Sequence, residues 1–72
     1  MRELILRSEY ITLGQLLKAE GFAEDGVDAK IRIQNGDAKV NGEEELRRGR
    51  KLYDGDTVTI DGKTVTVRKA SV

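Results

Sequence analysis

Four cations fall within five positions, Arg47, Arg48, Arg50 and Lys51, directly after the run Glu43-Glu44-Glu45. Like charges at that density repel one another. A row of phosphates would use them well, because an arginine fork matches two phosphate oxygens and a lysine acts as a point charge. The plainer alternative is a solvated loop balanced by the three glutamates. Gly49, between the arginines, lets the backbone bend so that the cations face one way. The stretch from residue 30 to 51 holds seven cations (Lys30, Arg32, Lys39, Arg47, Arg48, Arg50, Lys51) against four anions (Asp37, Glu43, Glu44, Glu45), while the formal net charge of the 72 residues is zero. The basic excess is therefore local, whereas nucleic-acid binders commonly carry it across the whole domain.

Other chemistry finds little to work with. The chain has no histidine and no cysteine, so the commonest general base and metal ligand and every thiolate site are absent. Asp54, Asp56 and Asp61 are close in sequence, but two of them, Asp54 and Asp61, sit in Asp-Gly contexts that turn formation explains. No stretch spells a calcium loop. The expectation is a protein that is not an enzyme, with no catalytic residue, no metal, no cofactor and no small-molecule substrate. No apolar run is long enough to span a bilayer and no signal-peptide pattern is present, so the expected setting is cytoplasmic, away from membranes.

The elements that must position the cations are well punctuated. Residues 3–7 (ELILR) read as a short strand. Thr12 is a good helix N-cap, and Gln15, three residues on, completes a capping box, with Ile11 packing back on Leu16. Leu13, Leu16 and Leu17 form an apolar stripe, and Gly21 followed by Phe22 ends the helix, predicted over 13–20. Asp25 caps a second helix and Asn35-Gly36 ends it. Its apolar residues lie on two lines, Val27 with Ile31 and Ala29 with Ile33, on roughly opposite sides. That predicts a helix covered from both sides. Arg32 follows Asp28 by one turn and can pair with it.

Ala38-Lys39-Val40 reads as a strand leading into the tight turn Asn41-Gly42. Thr57–Ile60 and Lys63–Val67 flank a second such turn, Asp61-Gly62. Alternation puts Val58, Ile60, Val65 and Val67 on the core face and Thr57, Thr59, Thr64 and Thr66 toward water. The tail from Lys69 to Val72 is expected to fray. The fold class is α+β: two adjacent short helices packed on one side of a small, mostly antiparallel sheet that ends in a β-hairpin.

The ordered set TLGQLLKAEG, DGVDAKIRI, NGDAKVNGEE and RRGRKLYDGDTVTI, from Thr12 to Ile60, resembles the S-four RNA-binding domain, named after a ribosomal small-subunit protein. The resemblance covers most of the chain and is closest to small stand-alone bacterial members. It implies one domain over residues 1–72, with a family-like core at 12–60, a C-terminal hairpin at 57–67 and an alpha-L type RNA-binding fold. It also implies that the two helices and the following strand and turn contact structured RNA. This chain departs from the family at Thr12, Gln15 and Gly26, where many members carry a cation.

With those cations missing, RNA contact is expected from Lys30, Lys39, Asn41, Arg47, Arg48, Arg50 and Lys51. Asn41 is chiefly a turn former, and Tyr53 reads as packing on the rim of the core, with stacking on an unpaired base as the lesser alternative. The partner expected is structured RNA, ribosomal or transfer, free or on the ribosome, bound by a monomer through phosphates and shape. The role would be ribosome assembly, translation or its quality control. The competing expectation is a protein–protein adaptor using the charged strip Glu43–Lys51.

Overall fold

Capping decides where the helices of the computed structural model begin and end; residues 2–70 are described. Thr12 accepts from the N–H of Gln15 (3.3 Å), and the Gln15 side chain accepts from the N–H of Thr12 (3.2 Å). This capping box opens α1 (Leu13–Ala19). At its end the N–H of Gly21 bonds to Lys18 and that of Phe22 to Leu17, with Gly21 at a φ of 80°. That is the Schellman arrangement, and it needs a residue tolerant of positive φ. Asp25 caps α2 (Gly26–Gln34) through the N–H of Asp28 (2.8 Å), and the same closing pattern recurs at Gly36 and Asp37.

The strands are β1 (Arg2–Leu6), β2 (Ile11–Thr12), β3 (Lys39–Val40), β4 (Glu43–Glu44), β5 (Lys51–Leu52), β6 (Thr57–Ile60) and β7 (Lys63–Lys69). Five of them form one sheet in the order β1-β7-β6-β3-β4. β1 runs parallel to β7 and the other pairings are antiparallel. β2 and β5 form a separate two-stranded ladder at the start of α1. The two predicted hairpin turns have positive φ at both central residues, Asn41-Gly42 and Asp61-Gly62. The mirror-image turn that suits the twist of a hairpin requires this.

One core joins the helices to the sheet. Leu13, Leu16 and Leu17 of α1 and Ala29 and Ile33 of α2 are fully buried with Val58, Val65 and Val67. Each large aliphatic side chain so buried contributes about 1.5–3 kcal/mol. Among the described residues no helix is long and apolar enough to cross a membrane.

In its elements and packing the structure differs from the sequence reading in several places. α2 is covered on one side only: Ala29 and Ile33 are buried, whereas Val27 and Ile31 are more than half exposed. Among the described residues no third layer lies over that second line. Arg32 does not pair with Asp28. The Asp28 carboxylate turns back to the N–H of Glu24 (3.0 Å), and Arg32 reaches forward to Asp37 and Asp61. Thr66, on the outer sheet face, is buried rather than wet. Lys69 is not frayed: it ends β7, and its N–H bonds to the Asp54 carboxylate (2.8 Å). Residues 71 and 72 of that tail lie outside the described residues. Finally, β2, β4 and β5 are two-residue strands, too short to show an alternating pattern in the sequence.

Candidate nucleic-acid interface

The basic loop is held at both ends by backbone hydrogen bonds. The N–H of Glu45 bonds to the carbonyl of Ala38 (3.1 Å), at the entry to β3. Farther on, the first amides of α1 reach across to the loop, Leu13 to the carbonyl of Arg50 (2.9 Å) and Gly14 to that of Arg48 (3.0 Å). A helix start normally leaves such amides without partners. Here they fix the loop, and the start of α1 offers them to no anion.

Inside this frame the four cations do not face one way. Glu45 is buried, and its two oxygens accept from Nε and Nη2 of Arg47 (3.0 and 3.1 Å) and from Nη1 of Arg50 (2.7 Å). The N–H of Arg47 adds a further bond to the same carboxylate (3.1 Å). Hydrogen bonds from Arg47, and next from Arg50, push the Glu45 pKa down to about 2. The solvated-loop reading was therefore right about a balancing acid for two of the four cations, and the balancing acid is Glu45 alone. Arg48 lies across Gly14 instead: a Cβ added to Gly14 would stand 2.6 Å from its Cγ. Lys51 lies over the ring of Tyr10, with its Nζ 4.9 Å from the centroid.

Arg48 forms one wall of a groove of about 270 Å³ between the starts of the two helices. Thr12, Gln15 and Gly26 line it, together with Lys18 and Ala29. The three positions where the resembling family often carries cations thus meet in one place. In this chain two other side chains, Arg48 and Lys18, supply the positive charge. No carboxylate lines the groove, and neither cation makes an ion pair among the described residues. The sequence reading missed Lys18. The signal was available, since Gln15 and Lys18 lie one turn apart on the side of α1 opposite its leucines.

The remaining candidates divide. Lys30 is exposed on α2, next to the groove residue Ala29. Lys39 is not brought to the groove. It alternates with buried Val40 and so projects from the outer sheet face, where its ladder partners are Glu44 and Thr59. Asn41 is used inside the fold: its Nδ2 donates to Asp56 (3.1 Å) and its Oδ1 accepts from the N–H of Thr57 (3.0 Å). Among the described residues, no group of three acids could hold a metal ion.

Fold and site together define a class: a small α+β domain in which two capped helices and a clamped basic loop frame a cationic groove free of acids. The family model described as S4 domain matches residues 4–68, and the chain belongs to that family. It is 43% identical over 58 residues to the "Putative RNA-binding protein YbcJ" of Escherichia coli (strain K12), covering 81% of this chain and 83% of that protein. It is 47% identical over 55 residues to the "Probable ribosome maturation protein RlbA" of Bacillus subtilis (strain 168), covering 76% and 78%. The solution structure of YbcJ from E. coli, described as revealing an ALFAL motif involved in RNA binding, superposes with a TM-score of 0.70 at 39% identity. That match covers 94% of this chain and 87% of the other.

Proposed function

We propose that this chain binds structured RNA, ribosomal or transfer, without catalysing a reaction, and acts in the cytoplasm in ribosome assembly, translation or its quality control. The observation that carries the reading is the groove in which Arg48 and Lys18 stand without an acid or an ion-pair partner among the described residues, with Lys30 beside it and Lys51 on the next strand. The names of the relatives support it. Recognition would rest on phosphates and shape, with Arg48, Lys18, Lys30 and Lys51 as contacts and with Arg47 and Arg50 chiefly holding the loop. Lys39, on the outer face, would touch only an RNA large enough to wrap the domain. The adaptor reading is weakened by Glu45, because one of the three acids of the strip is already buried under two of its cations.

The test is a salt titration of binding to ribosomal and transfer RNA, with duplex DNA as control. The variant to compare is Arg48→Glu with Lys51→Glu. Arg50 is avoided, since a glutamate there would face buried Glu45 and unsettle the fold. Losing two charge-assisted contacts should weaken RNA binding on the order of 100-fold and flatten the salt slope by about two. A folded double variant that binds like the parent would sink the site assignment.

A further inference from the structure

Ile11 pairs with Leu52 on the β2–β5 ladder, and Thr12 with Lys51. Extending that register one step sets Tyr10 opposite Tyr53. Alternation then puts Tyr10, Thr12, Lys51 and Tyr53 on one face, while Leu52 turns into the core. The structure bears this out: the two rings are 5.9 Å apart and tilted by 50°. They are 39% and 45% exposed. The sequence reading placed Tyr53 on the rim of the core, but its ring lies against Tyr10 instead. These are the chain's only tyrosines, beside a single phenylalanine and no tryptophan.

Tyr53 is also held in place. Its N–H donates to the Asp56 carboxylate (2.8 Å), the N–H of Asp56 returns to the Tyr53 carbonyl (3.0 Å), and Asn41 donates to that same carboxylate. Nearly half of Tyr53 stays open to solvent. It borders a shallow depression shared with Arg47, Arg50 and Lys51, which meets the groove at Gly49. A pre-positioned aromatic face beside cations is what an unpaired nucleobase and its phosphate require.

We propose that Tyr53, backed by Tyr10, is a stacking platform for one unpaired nucleotide projecting from the RNA held in the groove, with Lys51 on its phosphate. The inference rests on the RNA-binding reading above and adds to it a preference for RNA that carries a bulged or looped-out base. Asn41 enters as a positioning residue, acting on Tyr53 through Asp56.

The experiment compares three short RNAs with the full chain: a fully paired duplex, the same duplex with one bulged 2-aminopurine, and the bulged duplex with an abasic site there. The bulged base should bind roughly tenfold tighter than the other two. Its emission should be quenched on binding, as should the tyrosine emission of the protein, which comes from this pair alone. Tyr53→Leu should erase the preference and the quenching while duplex binding persists, and Tyr53→Phe should retain both. Equal binding of all three RNAs by the parent overturns the platform and leaves the phosphate-binding reading intact. A preference that survives Tyr53→Leu overturns the platform as well. Failure to bind any of the three overturns both readings.

Discussion

Arg32 and Glu45 are each held by two side chains of opposite charge, with the stoichiometry inverted. Arg32 is one cation between two acids, Asp37 and Asp61. Glu45 is one acid between two cations, Arg47 and Arg50. The first cluster joins the end of α2 to the turn between β6 and β7, 29 residues away, and Arg32 also donates to the carbonyl of Phe22 beyond α1. The second is local, spanning two and five residues within one loop. The first therefore ties elements together and leaves a negative surplus. The second shapes a single loop and leaves a positive surplus beside the groove. Each cluster thus holds one kind of charge in excess, and only the second stands beside the groove.

Breaking the long-range cluster should be felt in stability. Arg32→Ala removes hydrogen bonds from a partly buried guanidinium to two carboxylates and a carbonyl, at a cost of about 2 kcal/mol. For a domain of this size that lowers the Tm by roughly 8 to 16 °C. RNA affinity measured well below the new midpoint should not change. A variant that kept its Tm but lost RNA binding would reverse the roles assigned to the two clusters.

Glu45→Gln should also destabilise, since an amide oxygen can still accept from Arg50 but the charge that holds Arg47 is gone. Its effect on binding should run the other way, since freeing the charge of Arg47 and Arg50 steepens the salt slope by about one. The acid response of the parent follows from the same carboxylate. Its folded pKa, about 2, lies below the ordinary 4.5, so its contribution is fully present above pH 4.5 and is lost as pH falls toward 2. Asp61, lowered by its hydrogen bond to Arg32, acts with the same sign. Thermal melts across that window should show a shallower acid loss in Glu45→Gln than in the parent. Identical pH profiles would mean that Glu45 stabilises nothing.

Local punctuation made most of the fold legible in the sequence. Thr12 with Gln15, Asp25, the Asn41-Gly42 and Asp61-Gly62 turns and the valine–threonine alternation each specify geometry through residues close in sequence. What was not legible depended on residues far apart or on how many layers the chain can build. Arg32 had a local partner one turn back in Asp28, yet bonds to a turn 29 residues on. The exposure of Val27 and Ile31 follows from the absence, among the described residues, of anything to cover them. Of the candidate site, the sequence located the loop but could not sort its cations. A buried acid two or five residues away looks the same in sequence as a solvated one, so Arg47 and Arg50 read like Arg48 and Lys51. The Tyr10–Tyr53 pairing depends on a two-residue ladder that leaves no periodic trace.

Arg48 is the case that neither charge cluster explains, because it is placed without any carboxylate. Its stem lies over Gly14, in space that exists only because Gly14 has no Cβ. Its backbone cannot retreat easily, since its carbonyl accepts from the N–H of Gly14. Gly14→Ala would therefore rotate the side chain out of the groove and leave the backbone where it is. Alanine gains up to about 1 kcal/mol in helix propensity, less in a first turn, and this offsets the repacking, so the Tm should barely move. RNA affinity should fall, by less than in the charge reversal, and the salt slope should flatten by about one although no charge has been removed. On an Arg48→Ala background the same substitution should change nothing, since the side chain it displaces is gone. If Gly14→Ala bound RNA like the parent, the placement of Arg48 over the helix start would be incidental, and only its charge would count.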